Sequence, residues 1–145
     1  QIIPFRDLNN LVFKFRIEDG LLDISETKFR WLDYVDFQIF DSLLYVRDNN
    51  LVLDSNISID IHNSSEIYKF FQTPRNYRKE INKIKFNFIY NFDQEITNLN
   101  TIEIDNLINP DVNNILGQFI SKDSILQNRI YFKSLINKAI KSYAG

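Results

Sequence analysis

Apolar and polar residues alternate with a period of two over much of the first two thirds of the sequence. The clearest stretch carries a large apolar side chain at every second position: Ile84, Phe86, Phe88, Tyr90 and Phe92. Because successive side chains of a strand point to opposite faces of a sheet, this pattern predicts a half-buried β-strand. The same alternation predicts strands over residues 11–17, 35–39 and 57–61.

Short polar segments separate these predicted strands. Glu18-Asp19-Gly20 predicts a turn, since Gly adopts positive φ without strain. Asp48-Asn49-Asn50 lies between apolar segments and predicts a β-hairpin, because Asn and Asp tolerate the left-handed conformation. A further short strand is predicted over residues 101–105.

Helical spacing appears between the strands and again at the C-terminal end. Within residues 63–83, Ser64 or Ser65 can cap a short helix that Pro74 ends, and Pro74 suits the first turn of a second one. Farther on, Asn109-Pro110 predicts the start of a helix over residues 109–120, and a longer helix is predicted over 123–143. We therefore predict one α+β domain over residues 1–145, strand-rich over 1–105 and helical over 109–143. It is a mainly antiparallel sheet of about six strands with two C-terminal helices packed on it.

The bulky aromatic residues indicate how this core is filled. One group sits at core-like strand positions: Phe13, Phe15, Trp31, Phe37, Phe86, Phe88 and Phe92. A second group is expected on the opposite sheet faces: Phe29, Tyr34, Phe40, Tyr45 and Ile89. Two helices cover only one face of a sheet, so the second group predicts a contact surface for a partner or a neighbouring domain.

Composition excludes several kinds of chemistry. The sequence has no Cys and one His, which excludes thiol nucleophiles, Cys-ligated metals and mechanisms that need two imidazoles. Three Gly leave no room for a glycine-rich phosphate loop. No apolar run approaches the ~20 residues of a membrane helix. We therefore expect no cofactor, no metal and no membrane partner, and the sequence argues against an enzyme.

Charge is segregated along the chain. Residues 66–92 contain 6 basic and 2 acidic residues, and residues 124–145 contain 4 basic and none acidic. The segments before and between them are acidic. If the two basic blocks face the same way, they form a surface for phosphates or for an acidic partner. The residues predicted to make that contact are Arg75, Tyr77, Arg78, Lys79, Lys83, Lys85, Arg129, Lys133 and Lys141.

Two weaker patterns resemble catalytic arrangements. Glu26-Thr27-Lys28 has the E-x-K spacing of metal-dependent nucleases, which also requires a nearby Asp such as Asp19 or Asp23. Asp60 and His62 share the face of a predicted strand with Ser58, but adjacent positions on an exposed face make a poor triad. The simpler interpretation in both cases is a solvated polar face.

The leading functional prediction is a non-enzymatic structural or interaction domain that binds another protein or a neighbouring domain. The alternative is an accessory domain of a nucleic-acid-handling machine, polymerase- or nuclease-associated, that contacts phosphates through the basic blocks. Frequent Ile and Asn indicate a low-GC bacterium, phage or virus, and the absence of Met suggests a segment of a larger protein or assembly. We expect a soluble protein, cytoplasmic or virion-associated rather than secreted.

Overall fold

The computed structural model describes residues 8–117, 121–122 and 129–145, with side chains described over 8–117 and 133–145. Within these residues the chain forms ten strands, three α-helices and one 3-10 turn. In chain order they are β1 (Leu8–Val12), β2 (Arg16–Glu18), β3 (Leu21–Asp23), β4 (Lys28–Trp31), β5 (Val35–Arg47), β6 (Asn50–Ile61), α1 (Ser64–Phe71), the 3-10 turn (Arg75–Tyr77), β7 (Lys83–Asn91), β8 (Ile96–Ile104), β9 (Leu107–Ile108), α2 (Pro110–Gly117), β10 (Ser121–Lys122) and α3 (Arg129–Ala144).

All described strands belong to one antiparallel sheet with the order β1-β4-β5-β6-β7-β8-β10. Strands β2 and β3 pair with each other, and β3 pairs with β5 beyond the end of β4. Residues 8–18 and 21–31 therefore form one interrupted hairpin along β5, with its turn at Asp19 and Gly20. This places β1 and β2 at the outer edge of the sheet.

The long hairpin of β5 and β6 is the centre of the sheet. Its turn residues Asp48 and Asn49 have φ of 50° and 62°, which confirms the predicted hairpin. Its register shifts between Phe40 and Leu43. There the fully buried Ser42 hydroxyl donates to the Phe40 carbonyl, accepts from the Asn56 amide and lies 3.0 Å from the Ser55 hydroxyl. These bonds satisfy polar groups that the shift would otherwise leave buried without partners.

Three helices pack on one face of the sheet over β6, β7 and β8. The cross-strand row Ile59–Ile84–Ile104 shares this face, because directly paired residues point the same way. Nine buried residues form the centre of the core: Ile61, Tyr68, Ile81, Ile102, Ile104, Val112, Leu116, Ala139 and Ile140. The predicted cap of α2 is confirmed, since the Asn109 side chain accepts from the amides of Asp111 and Val112.

The same apolar face continues beyond the helices, over β4 and β5. Phe29 and Phe37 stack there with their ring centroids 4.6 Å apart, and both remain half-buried. Their direct pairing across β4 and β5 shows that the two rings share a face. The expectation that Phe29 lies opposite Phe37 is therefore wrong.

The α+β class with a large antiparallel sheet is confirmed, but the sheet is larger than predicted and the helices are arranged differently. The sheet has ten described strands rather than about six, since several strands of two to four residues are too short to show a periodic pattern. Helix α1 lies between strands, as the helical spacing within residues 63–83 predicts, and it packs on the sheet together with the C-terminal pair. Between the two C-terminal helices, β10 pairs with β8 at Thr97 and Ile96.

Several local predictions are corrected by the structure. The predicted strand over 11–17 is broken at residues 13–15, and Phe13 and Phe15 are exposed rather than in the core. The second short helix after Pro74 is only the 3-10 turn. Residues 118–120 and 123–128, where the two C-terminal helices were predicted to end and begin, lie outside the described residues.

Candidate functional site

Helix α1 and the 3-10 turn present the first basic block on the helical side of the sheet. Helix α1 ends at Phe71. The next residue, Gln72, adopts a left-handed φ of 59°, and Pro74 prevents continuation of the helix. The buried Tyr68 hydroxyl then donates to the Lys79 carbonyl, while Arg78 Nε donates to the Thr73 carbonyl at 2.9 Å. Burial is the main reason that the pKa of Tyr68 rises to about 12, so this donor keeps its proton at physiological pH.

Asn137 joins α3 to this segment. Its Nδ2 donates to the Phe71 carbonyl at 2.7 Å, and its Oδ1 accepts from the Thr73 hydroxyl at 2.6 Å. Because Lys133 and Lys141 lie four residues to either side of Asn137, they share its helical stripe. The bonds of Asn137 therefore turn the basic stripe of α3 toward the 3-10 turn.

Three cation–π contacts line this junction. Lys141 Nζ lies 5.4 Å from the centroid of the Tyr77 ring, and Lys79 Nζ lies 4.5 Å from that of Tyr143. Each contact joins one basic block to an aromatic ring of the other. The third places Lys133 Nζ 4.8 Å from the centroid of the Phe70 ring. We call this surface the basic seam, and its residues are Arg75, Tyr77, Arg78, Lys79, Lys133 and Lys141.

Within the described residues, no carboxylate oxygen lies within 4.0 Å of a charged nitrogen of the basic seam. A carboxylate lies nearby, since Tyr143 donates to Asp105 Oδ2 at 3.5 Å. Burial and the adjacent Asp105 raise the pKa of Tyr143. The other oxygen of Asp105, Oδ1, accepts from the backbone amides of Asn82 and Lys83 at the start of β7.

Two of the predicted contact residues lie away from the basic seam, and a third, Arg129, has a side chain outside the described residues. Lys83 and Lys85 point to the opposite face of β7, because Ile84 between them packs in the helical core. Lys83 Nζ pairs there with Asp60 at 3.1 Å, and Lys85 lies directly across from Glu103. Arg129 is the first residue of α3, and its side chain lies outside the described residues.

The face opposite the helices is polar and organised around Asp36. Arg30 Nε and Nη2 donate to the two Asp36 oxygens at 2.6 and 3.0 Å, and His62 Nε2 lies 2.8 Å from Oδ2. The hydrogen bonds from Arg30, with a second contribution from His62, lower the pKa of Asp36 to about 2. His62 therefore contacts Asp36, while Asp60 pairs with Lys83, so the proposed Asp60–His62 pair does not form.

Glu26 of the E-x-K motif and the nearby Asp23 each form an ion pair with a basic residue. Glu26 Oε2 accepts from Lys14 Nζ at 2.7 Å, and Asp23 binds the Ser25 amide and Arg16. Among the residues that the structure describes, no three His, Asp or Glu side chains lie close enough together to hold a metal ion. The nuclease hypothesis therefore gains no geometric support.

The outer edge of the sheet carries an unusual series of exposed apolar side chains, which we call the apolar edge. It comprises Leu11, Val12, Phe13, Phe15 and Ile17, with exposed fractions of 68, 47, 57, 62 and 71%. The Phe13 and Phe15 rings contact each other with their centroids 5.8 Å apart, yet both side chains remain exposed. Sequence reasoning assigned Phe13 and Phe15 to the core, because alternation identifies an apolar face and does not reveal whether anything covers it.

Compared with protein-family models, with curated proteins and with solved structures, the chain matches none. In the described part of the chain, no helix has the length and apolar character that crossing a membrane requires. Functional interpretation therefore depends on the two surfaces themselves, the basic seam and the apolar edge.

The Asp36 cluster predicts a defined pH dependence of stability. The folded-state pKa of about 2 is below the ordinary value of 3.8, so this carboxylate stabilises the fold above pH 3.8, and the contribution is lost as pH falls toward 2. We expect the Tm difference between wild type and Asp36→Asn, followed by circular dichroism, to shrink between pH 5 and pH 2. Asp41→Asn is the exposed control. A difference that stays constant to pH 2 would contradict this assignment.

Proposed function

We propose that this chain is a non-enzymatic structural or interaction domain, which binds a neighbouring protein or domain through its apolar edge. The observation that carries the proposal is the exposure of five large apolar side chains within seven consecutive positions at the edge of a sheet. Exposed edge strands are sites where another strand can add, and apolar side chains there strengthen that tendency. The parent protein or assembly is proposed to be bacterial, phage or viral.

The distribution of the helices supports this proposal. All three pack mainly over β6–β8, with Phe70 of α1 reaching Trp31 on β4, and the stacked Phe29 and Phe37 beyond them stay half-buried. A partner that adds a strand beside β1 and β2 would extend the sheet and shield apolar side chains from water. The partner that fits is a β-strand with apolar side chains on one face. When the strand adds to this sheet, that face would continue the apolar face of the sheet.

Replacing Phe13, Phe15 and Ile17 together by Thr tests whether the apolar edge is exposed to solvent rather than part of the core. Thr keeps the preference for extended backbone, and exposed positions contribute little to the fold, so we expect the free energy of unfolding to change by less than about 1 kcal/mol. Fluorescence of an apolar-surface dye should fall relative to wild type. As the buried control, Ile140→Ala should destabilise the chain by about 2–5 kcal/mol.

The proposal would be wrong if the triple variant lost as much stability as Ile140→Ala and the dye signal did not change. That result would mean that the three side chains are part of the core of the chain itself. Chemical denaturation gives the free energy, and the dye titration is performed under native conditions on the same samples.

A second candidate function is phosphate contact at the basic seam, as in an accessory domain of a nucleic-acid-handling machine. The specific support is the convergence of the two basic blocks, with Lys141 over Tyr77 and Lys79 over Tyr143. Cations beside tyrosine rings can hold a phosphate backbone while the rings contact bases. Six of the nine predicted contact residues take part in this proposal, since Lys83 and Lys85 occupy the other face of the sheet and the Arg129 side chain lies outside the described residues.

Neutralising the basic seam with Arg75→Gln and Lys141→Gln tests this second function. We expect the chain to bind a fluorescent single-stranded oligonucleotide at low salt, and the variant to bind about tenfold more weakly with a salt slope reduced by about 1.4. Lys28→Gln with Arg47→Gln is the control of equal charge change away from the basic seam. Equal loss in both variants, or no binding by wild type at low salt, would contradict phosphate contact.

A further inference from the structure

Strand β2 is complementary in charge to itself. Its residues are Arg16, Ile17 and Glu18, and an antiparallel copy of the same triplet reads Glu, Ile, Arg. With Ile17 opposite Ile17, each Arg16 lies directly across from a Glu18. Directly opposed side chains of antiparallel strands are close enough for such ion pairs.

The surroundings of β2 leave this triplet available. Within the described residues β2 pairs with β3 alone, so its outer edge has no strand partner. Ile17 is among the most exposed apolar residues described. Arg16 uses Nη2 to bind Asp23 at 3.1 Å, which leaves other guanidinium N–H groups free, and Glu18 has no ion pair among the described residues.

We propose that the partner of the apolar edge is a second copy of this chain, bound antiparallel through β2 with Ile17 at the two-fold axis. This inference rests on the proposed interaction function and identifies its occupant. A two-fold arrangement uses the same surface on both copies and is closed, so it produces a dimer rather than a fibre.

The charges also select the register. Pairing centred on Arg16 places two guanidinium groups opposite each other, and pairing centred on Glu18 does the same with two carboxylates. Like charges in direct opposition are unfavourable, so the Ile17-centred register is preferred over both neighbours. A slip that pairs Ile17 with Arg16 or Glu18 of the other copy would also turn Ile17 to the wrong face of the joined sheet.

The first test is disulfide trapping, for which the absence of native cysteine makes the chain suitable. Opposed positions at a two-fold axis are close enough for a disulfide. Under mild oxidation we expect Ile17→Cys to form a covalent dimer about tenfold faster than Val46→Cys, because pairing holds its thiols together. Val46 is the matched control, being 68% exposed on β5. Equal rates for the two variants would overturn the proposal.

The second test mixes two charge variants. Arg16→Glu presents two acidic residues on β2, and Glu18→Arg presents two basic ones, so each variant repels a copy of itself. We expect sedimentation to show each variant alone dimerising about tenfold more weakly than wild type. A mixture of the two should recover a one-to-one dimer of near wild-type affinity, and circular dichroism confirms that each variant is folded.

A mixture that remains monomeric although both variants are folded would overturn the second-copy proposal. If Arg16→Glu fails to fold, disulfide trapping at Ile17 decides the question alone. The Thr triple variant, assayed by dye binding and unfolding, reports on the proposed interaction function separately. Loss of dye binding there, without self-association of wild type, would leave an interaction domain whose partner is a different protein.

Discussion

The separation of apolar and polar residues onto opposite faces of one sheet is the constraint on which the rest of the structure depends. Paired isoleucines and phenylalanines from β5, β6, β7 and β8 line one face, while Arg30, Asp36, Asp60 and Lys83 form ionic contacts on the other. The helices pack mainly on the β6–β8 portion of the apolar face, and Phe70 of α1 also contacts Trp31 of β4. The chain therefore leaves the apolar edge, beside β3 and β4, outside the part of the sheet that the helices cover.

The helical end explains why the basic residues converge. Hydrogen bonds from Asn137 fix α3 against the end of α1, and the buried Tyr68 hydroxyl donates to the Lys79 carbonyl. Once these polar bonds form, lysines from both blocks lie over aromatic rings of the opposite block. The same contacts that stabilise the helix packing thus gather positive charge on one surface.

Sequence periodicity predicted the elements that repeat long enough to show a pattern. The β5–β6 hairpin, strand β7 and the start of α2 follow from alternation, turn residues and the Asn109 cap. Helix α1 was predicted as well, but its cap position is Asn63, without a side-chain hydrogen bond, rather than Ser64 or Ser65. Strands β9 and β10 have two residues each, too few for any periodic signal. The break at residues 13–15 was also invisible, since Phe13 and Phe15 keep the alternation of a buried strand although they lie exposed at an edge.

The candidate surfaces were also predictable only in part, because local sequence patterns do not show which residues the fold brings together. Charge counting located the basic blocks but treated them as units. Alternation along β7 places Lys83 and Lys85 opposite Ile84, which packs under the helices, so these two lysines are separated from Lys79. The Arg30–Asp36–His62 cluster joins three elements, and no local spacing in the sequence relates them.

Hydroxyl-radical footprinting of the isolated chain, at a concentration where sedimentation shows a monomer, tests the central claim that the fold leaves its own apolar edge uncovered. We expect Phe13 and Phe15 to be oxidised at rates close to that of Phe92, whose exposed fraction is 42%, while the buried Tyr68 is protected. Protection of Phe13 and Phe15 to the level of Tyr68 in the monomer would contradict the account.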